Sequence, residues 1–472
     1  MQTNEKILVL KKNLNIFEKL LFLKKNINIL SHIPDYTVPR YTSYPTAPNF
    51  SEKINNNKYI LWLNKIKKNN KISLYIHIPF CNSLCYFCGC HSTVVNKYDP
   101  VKRYVNYLLK EIDIIRKVTR KRLKVSHIHF GGGSPSILKK QELELLMNSI
   151  KKNFIIEKKS EIAMEIDPRF VSINLAANLK NFFFNRVSIG VQDFSSEVQK
   201  VINRKQTFKQ TKELINNLKL NGITNINIDL VYGFPKQTVQ SFIKTLGKIH
   251  SLSPERISIF GYAHVPWIKK NQRLIKEEPL DNETRLQLYQ LASDYFSNSD
   301  YISIGIDHYA KKNSSIVKKL KKRKINRNFQ GYTEDEAKTL IGIGSSSISS
   351  LKDGYVQNKV YVPDYIKSLK KNKLPILRGC KLSEEDEMYG TIIRELMCYL
   401  NIDLNKIIKK YKKEKELIRC IVKMKPFIDA DIVNIKNNIL TIKNEARPLA
   451  RIISSCFDPY FVKNKNKYSL GI

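Results

Sequence analysis

The sequence predicts an α/β protein: an incomplete parallel (β/α)6 barrel with an N-terminal extension and a smaller, mostly helical C-terminal domain. Three observations carry this. Six short apolar runs recur between stretches of helical pattern, each run ends in glycine or polar residues, and no G-x-G-x-x-G opens the first unit as a Rossmann fold would require. Alternating β and α segments mean a parallel sheet.

The runs lie at 74–79, 126–130, 161–166, 186–191, 225–231 and 256–260. Between them, 104–117, 141–152 and 207–220 carry the i, i+3, i+4 apolar spacing of crossover helices. Barrels of this kind gather their chemistry at the C-terminal ends of the strands. Cys81 follows the first run and Gly131-Gly-Gly133-Ser-Pro the second. Glu165-Ile-Asp167-Pro closes the third, Gln192-Asp193 the fourth, Asp229 and Gly233 the fifth, and Ala263-His264 the sixth. Tyr75, His77, Pro79 and Cys81 share parity, so Tyr75 and His77 are expected to point inward.

Beyond about residue 380 glycine and motif density fall, and helical patterns appear at Glu384–Tyr399 and, Lys-rich, at 404–412. A strand-like pair at 432–433 and Ile439–Ile442, then a helix over 448–456, suggest a winged-helix-like module. The expected division is 1–73 (N-terminal extension and arm), 74–375 (barrel) and 376–472 (C-terminal module). There are no internal repeats.

At 472 residues and 42% hydrophobic content the chain can bury a full core. No apolar run reaches the ~18 residues a membrane span needs. Residues 7–30 are apolar but broken by Lys11, Lys12, Glu18, Lys19, Lys24 and Lys25, which reads as an amphipathic helix or a loose leader. A transit peptide would be Arg-rich and free of acids, whereas Glu5 and Glu18 are present and no Arg precedes Arg40; a cytoplasmic protein is expected. The net charge of +40 invites a nucleic-acid reading. The lysines are spread along the chain rather than clustered, so specific nucleic-acid binding is not expected. The densest run, Lys318-Lys-Leu-Lys-Lys-Arg-Lys324, reads as a solvated loop or helix face.

Half of the eight cysteines stand in Cys81-Asn-Ser-Leu-Cys85-Tyr-Phe-Cys88-Gly-Cys90. The C-x3-C-x2-C spacing suits one loop around one corner of an iron–sulfur cube. A [4Fe–4S] cluster has four irons and prefers thiolates, so three thiolates leave one iron open to a substrate or cofactor. Zinc would want four closed ligands, but Cys380, Cys398, Cys420 and Cys456 are scattered singly and read as buried, inert thiols. Disulfides are poorly supported in a chain of this size with no cleavable signal.

These residues, in this order, resemble the oxygen-independent coproporphyrinogen III oxidase family of radical S-adenosylmethionine (SAM) enzymes, from about residue 36 onward. The motifs are Arg40-Tyr-Thr-Ser-Tyr-Pro-Thr-Ala47, Tyr75-Ile-His-Ile-Pro-Phe-Cys81 through Cys90, Phe130-Gly-Gly-Gly-Ser-Pro135, Glu165-Ile-Asp-Pro-Arg169, Gly190-Val-Gln-Asp-Phe194, Asn203-Arg204, Asn227 through Thr238, Tyr262-Ala-His264 and Arg327-Asn-Phe-Gln-Gly-Tyr-Thr333. The resemblance implies a radical SAM barrel and oxidative decarboxylation of two propionates of coproporphyrinogen III to vinyl groups without dioxygen. A base cannot start at so unpolarised a C–H bond, so a cofactor radical must. Cys81, Cys85 and Cys88 resemble the cluster ligands, and Cys90 a family cysteine that does not ligate. Tyr75, Phe87, Gly132, Gly133, Ser134, Glu165, Gln192, Arg204, Asp229, Ala263 and Ile348 match positions that contact SAM, of which the family binds two molecules; Tyr75 and Glu165 are the candidate catalytic residues. An electron donor for the cluster and a monomeric state are implied. Ser134 stands where Thr is common and keeps the hydroxyl. The rival readings are the heme chaperone branch of the superfamily, against which Cys90 and the 40–47 segment speak, and a radical SAM methyltransferase, against which 327–333 speaks.

Overall fold

The computed structural model describes residues 36–462 and 468–471. The leader at 7–30 lies outside the described residues.

All six expected runs are parallel neighbours in one sheet: β1 (Lys71–Ile78), β2 (Lys124–Gly132), β3 (Ile155–Ile166), β4 (Arg186–Gln192), β5 (Asn225–Tyr232) and β6 (Arg256–Gly261). On β1, Ile72, Leu74, Ile76 and Ile78 are fully buried against helices, while Ser73, Tyr75 and His77 take the opposite face. Helices cover the outer face and side chains fill the inner one, which is why the strands read as apolar runs.

The sheet holds more than the six strands the sequence predicts. After β6 the chain makes the antiparallel pair β7 (Tyr301–Ile304) and β8 (His308–Lys311), then returns to the opposite edge as β9 (Leu340–Ile343). β9 pairs parallel with β1, from Ser73↔Leu340 to Ile76↔Ile343, so the parallel part has seven strands. Leu340-Ile-Gly-Ile343 is too short and glycine-interrupted to announce itself. The antiparallel strands β10 (Ile348–Leu351), β11 (Gly354–Asn358) and β12 (Ile376–Lys381) extend that edge, giving the order β12-β11-β10-β9-β1-β2-β3-β4-β5-β6-β8-β7.

The crossover helices follow their apolar spacing. The helix α1 (Asp99–Thr119) buries Val101, Tyr104, Val105, Leu108, Ile112 and Ile115 on one stripe, and ends where Arg120 turns left-handed at φ 54°. Each such aliphatic side chain stabilises the fold by ~1.5–3 kcal/mol. Its buried Glu111 accepts hydrogen bonds from Gly344 N, Asn358 Nδ2 and Tyr365 Oη at 2.6–2.7 Å, tying the β9–β10 turn to the helix. Helices α2 (Lys140–Asn153) and α3 (Phe208–Leu220) cover the predicted 141–152 and 207–220, and α3 opens with a Thr207/Gln210 capping box.

A second core lies beyond the sheet. Helix Glu384–Tyr399, predicted to the residue, buries Met388, Ile392, Ile393, Leu396 and Met397 against a three-stranded antiparallel sheet in which Asn401–Asp403 and Val433–Lys436 flank Ile439–Ile442. The segment expected as one helix over 448–456 is a 3-10 turn, Asn444–Leu449, followed by an α-helix, Ala450–Ser455, with Pro448 at the junction. The N-terminal arm splits between the cores: Val38, Tyr41 and Tyr44 pack on the second, Tyr59, Trp62 and Leu63 on the first. β12 belongs to the main sheet, so that sheet runs on past residue 375.

Beneath the barrel, Glu161 lies between Arg186, at 2.9 Å, and Arg256, which in turn pairs with Glu334. Burial pushes the Glu161 carboxyl up, but the two guanidiniums outweigh it and hold it at about 2. A carboxyl lowered on folding stabilises the fold fully above its ordinary value near 4.5 and loses that contribution as pH falls toward 2. Glu161→Gln is expected to flatten this part of the stability–pH curve, read as denaturation midpoints between pH 5 and 2.

Candidate active site at the strand ends

At the C-terminal end of β1 the chain makes a short parallel pairing, Phe80–Cys81 with Thr93–Val94, and residues 82–92 loop between. Three neighbours grip this loop by its backbone. Asn203 Nδ2 donates to Leu84 O at 2.8 Å; Asn271 Nδ2 donates to Tyr86 O at 2.9 Å and Cys88 O at 3.0 Å; Gln272 Nε2 donates to Phe87 O and Ala263 O, both at 2.9 Å. Gln272 thus fastens the cysteine loop to the end of β6.

The sulfur environments suit thiolates on iron. Cys85 Sγ accepts from Arg169 Nη2 at 3.2 Å and Arg204 Nη1 at 3.4 Å, and Cys88 Sγ accepts from Cys90 N at 3.4 Å. The Cys88 thiol is drawn down to about 6, chiefly by its contact with Cys90, with Lys269 and Arg204 adding to it. Cys81 is pushed up to about 12 by burial and then by Cys88; to ionise, its thiol would need a positive partner such as a metal. Gly133 packs so closely that an added Cβ would lie 2.7 Å from Phe80 O and 3.0 Å from Cys81 Sγ. Among the described residues no three His, Cys, Asp or Glu side chains converge as the shell of one metal ion; a cluster instead spreads its thiolates over separate irons.

Behind the loop, Asp167 takes two guanidinium forks. Arg169 reaches it with Nη2 at 2.7 Å and Nε at 3.0 Å, and Arg204 with both Nη atoms at 3.2 Å. Arg204 also donates to Gly190 O at 2.6 Å. Burial would raise the Asp167 carboxyl, but Arg204 and Arg169 together hold it below its ordinary value.

Across the mouth, Glu165 receives His129 Nε2 at 3.0 Å and the Gly132 N–H at 3.1 Å. Burial acts upward on its carboxyl, and these donors bring it below the ordinary range, so it is ionised. Gly132 sits at φ 121° with the His77 ring 2.6 Å from where a Cβ would be, a conformation and a space that require glycine. Tyr75 lies nearly parallel to His129, ring centroids 5.9 Å apart, and its hydroxyl is 3.0 Å from His77 Nδ1. Burial lowers the His77 pKa, so the ring is neutral; with Nε2 3.2 Å from His91 O, the proton sits on Nε2 and Nδ1 accepts from Tyr75. Both residues face inward, as their parity predicts.

Asp229 Oδ2 accepts from Ser188 Oγ at 2.6 Å and Oδ1 from Asn227 Nδ2 at 2.8 Å, and burial raises its pKa. Gln192 adopts φ 69° at the end of β4, close to Gly190. Phe87 packs edge-on against Phe234, centroids 5.1 Å apart. Buried Ser134 donates its N–H to Phe80 O at 2.8 Å. Ala263 is held by Gln272. Ile348 stands apart, two strands from β1 in the sheet, joined to the rest through the preceding turn, where Ser346 Oγ lies 3.2 Å from His77 Nε2. Sequence reasoning missed His129, Asn271 and Gln272, and it named Asn203 only as part of a motif, with no role. His129 was within reach, since the parity rule that singles out Tyr75 also turns His129 inward on β2. The basic run is a largely exposed helix end, Ser315–Lys321 and beyond, with Lys319 on Glu336 and Arg323 on Glu395.

Comparison with known proteins places this geometry. The Radical SAM superfamily model matches residues 75–249. The chain is 37% identical to the oxygen-independent coproporphyrinogen III oxidase of Bradyrhizobium diazoefficiens, over 92% of this chain and 97% of that one, and 36% identical to that of Helicobacter pylori, over 91% and 96%. Coproporphyrinogen III oxidase (HemN) from Escherichia coli, described as a radical SAM enzyme, superposes with a TM-score of 0.86 at 34% identity, covering 89% of this chain and 98% of that structure. The chain belongs to the oxygen-independent coproporphyrinogen III oxidase family of radical SAM enzymes.

Proposed function

We propose that the protein converts two propionate side chains of coproporphyrinogen III to vinyl groups, with loss of CO2 and without dioxygen. The observation that carries this is the placement of the three-cysteine loop, the Arg-clamped Asp167 and the ionised Glu165 around one mouth, in a chain related to oxidases over nine-tenths of its length. Kinship of that extent favours the oxidase over the heme chaperone.

A [4Fe–4S] cluster with SAM, when bound, supplies a 5′-deoxyadenosyl radical able to take hydrogen from an unactivated carbon. Cys81, Cys85 and Cys88 would hold the cluster, leaving one iron for SAM, with Arg169 and Arg204 steadying the charge on Cys85. Glu165, ionised at the strand end, is an acceptor for an ammonium or a ribose hydroxyl, and Asp229 is a second. Gly132, Gly133 and Ser134 present backbone to the cofactor; Phe87, Ala263 and Ile348 offer surfaces for adenine; Gln192 and Arg204 bracket the β4 end. Tyr75, whose phenol burial holds protonated, closes the inner wall and orients His77. Two SAM molecules follow from the resemblance, whose matching positions run from Asp229 on β5 to Ile348 on β10. Cleaving SAM would need one electron delivered through the cluster, and each propionate, after losing a hydrogen atom and CO2, would release one further electron, so the reaction needs a one-electron donor for the cluster and a one-electron acceptor for the substrate. No described helix is long and apolar enough to cross a membrane; a monomeric cytoplasmic protein is our reading.

Anaerobic incubation of cluster-loaded protein with SAM, a reductant and coproporphyrinogen III should yield protoporphyrinogen IX, detected by chromatography after oxidation. Heme binding without vinyl product would identify a chaperone. Glu165→Gln and Asp229→Asn should keep the cluster and the melting temperature yet weaken SAM binding by ~1–3 kcal/mol, the scale of one lost charged hydrogen bond. Calorimetry showing unchanged SAM affinity in both would return these acids to a structural role.

A further inference from the structure

Two motifs take no part in the cofactor site, 40–47 and 327–333, and both reach one cavity. It has a volume of about 40 Å³ and lies where the end of β6 meets the N-terminal arm and the C-terminal module. One water needs about 10–15 Å³ of such space, so the cavity takes a group of about carboxylate size and not a macrocycle. Arg40, Arg327 and Arg451 line it, with Asp307 as the one carboxylate among its described lining residues.

That acid does not neutralise the three cations. Asp307 Oδ1 is 2.6 Å from His308 Nδ1 and 3.6 Å from Arg327 Nη1, too far for a hydrogen bond to the guanidinium. Arg327 is 6% exposed, and its Nε and Nη1 are buried without a hydrogen-bond partner. Among the described residues Arg40 hydrogen-bonds a carbonyl here, Gly261 O at 3.3 Å, and feels the charge of Asp307. Arg451 is fixed by the carbonyls of Val38, Pro39 and Leu470 at 2.7–3.3 Å, and burial followed by the charges of Arg40 and Arg327 draws its pKa down to about 9. Buried guanidinium groups lacking acceptors are expensive, and their planar forks match a carboxylate.

We propose that this cavity seats one propionate carboxylate of the substrate, and that it is a propionate the reaction leaves intact. The proposal rests on the decarboxylase reading above. The reacting carboxylate loses its charge as it becomes CO2, so a cradle of three guanidiniums would hold the ground state more tightly than the transition state and oppose the step. A retained carboxylate keeps its charge throughout, and its binding aligns the ring. The cradle adjoins Ala263, a candidate SAM contact, so anchoring one edge of the macrocycle here brings another edge toward the strand-end mouth.

The test is a fluorescence titration of cluster-loaded protein with coproporphyrin III, the aromatised form of the same tetrapropionate, paired with steady-state turnover of coproporphyrinogen III. Arg40→Gln and Arg327→Gln should each weaken binding ~10–100-fold, the equivalent of one charged hydrogen-bonded contact. KM should rise in parallel with kcat within about twofold, and Arg40→Lys should recover part of the loss. Arg40 is on the exposed side of the cavity, so its variant remains informative if Arg327→Gln does not fold. Unchanged affinity in folded Arg40→Gln, or a collapse of kcat at unchanged affinity, overturns the proposal. Wild-type protein that binds coproporphyrin III but forms no vinyl product would instead sink the decarboxylase reading on which it stands.

Discussion

Serine at Cys81, Cys85 or Cys88 is expected to abolish the iron–sulfur charge-transfer band near ~400 nm and all product formation, while serine at Cys90 leaves the iron in place. The geometry separates the two cases. Cys85 and Cys88 receive donors at sulfur, and Cys81 sits against the Gly133 backbone. Cys90 gives its backbone N–H to Cys88 and its carbonyl is 3.2 Å from Lys269 Nζ, contacts that a substitution leaves intact; its thiol also hydrogen-bonds Cys88, and a serine hydroxyl retains a donor there. Iron and acid-labile sulfide analysis on anaerobically purified variants checks this. Complete loss of iron in folded Cys90→Ser would mean that the loop ligates through a different set.

The next largest effect is expected at Asp167, where one carboxylate answers two guanidiniums that are each 7% exposed. Asp167→Ala leaves both charges buried and uncompensated, a change of ~3–5 kcal/mol in stability, measurable as a shifted denaturation midpoint. The same variant frees Arg169 and Arg204 from their alignment on Cys85, so iron retention should fall as well. Because folding lowers the Asp167 carboxyl, its contribution is complete above the ordinary Asp value near ~4 and is lost as pH falls below it; the Ala variant should lack that acid-dependent loss. An unchanged midpoint would show that the two arginines find other acceptors.

Much of this arrangement was legible in the sequence because parallel strands buried on both faces leave continuous apolar runs, and the residues after such runs face the mouth. Cys81, Gly131–133, Glu165, Gln192 and Asp229 were found that way, and the helix Glu384–Tyr399 by its period. What escaped has physical reasons. The second neighbour of β1, Leu340–Ile343, is four residues with a glycine, below any periodicity signal. Asn271 and Gln272 act by reaching backbone carbonyls of a loop more than 180 residues away, and an amide that grips a carbonyl leaves no pattern in the chain. Arg40 and Arg451 meet from opposite ends of the sequence; their convergence exists only once the arm is laid against the second core. The cavity motifs could be seen as motifs, but not as one place.

The central claim is that this scaffold directs a SAM-derived radical at a propionate β-carbon. Turnover of coproporphyrinogen III deuterated at that carbon, with mass analysis of the 5′-deoxyadenosine formed, tests it most directly. The account predicts deuterium in the 5′-deoxyadenosine together with vinyl product; vinyl product accompanied by deuterium-free 5′-deoxyadenosine would contradict it.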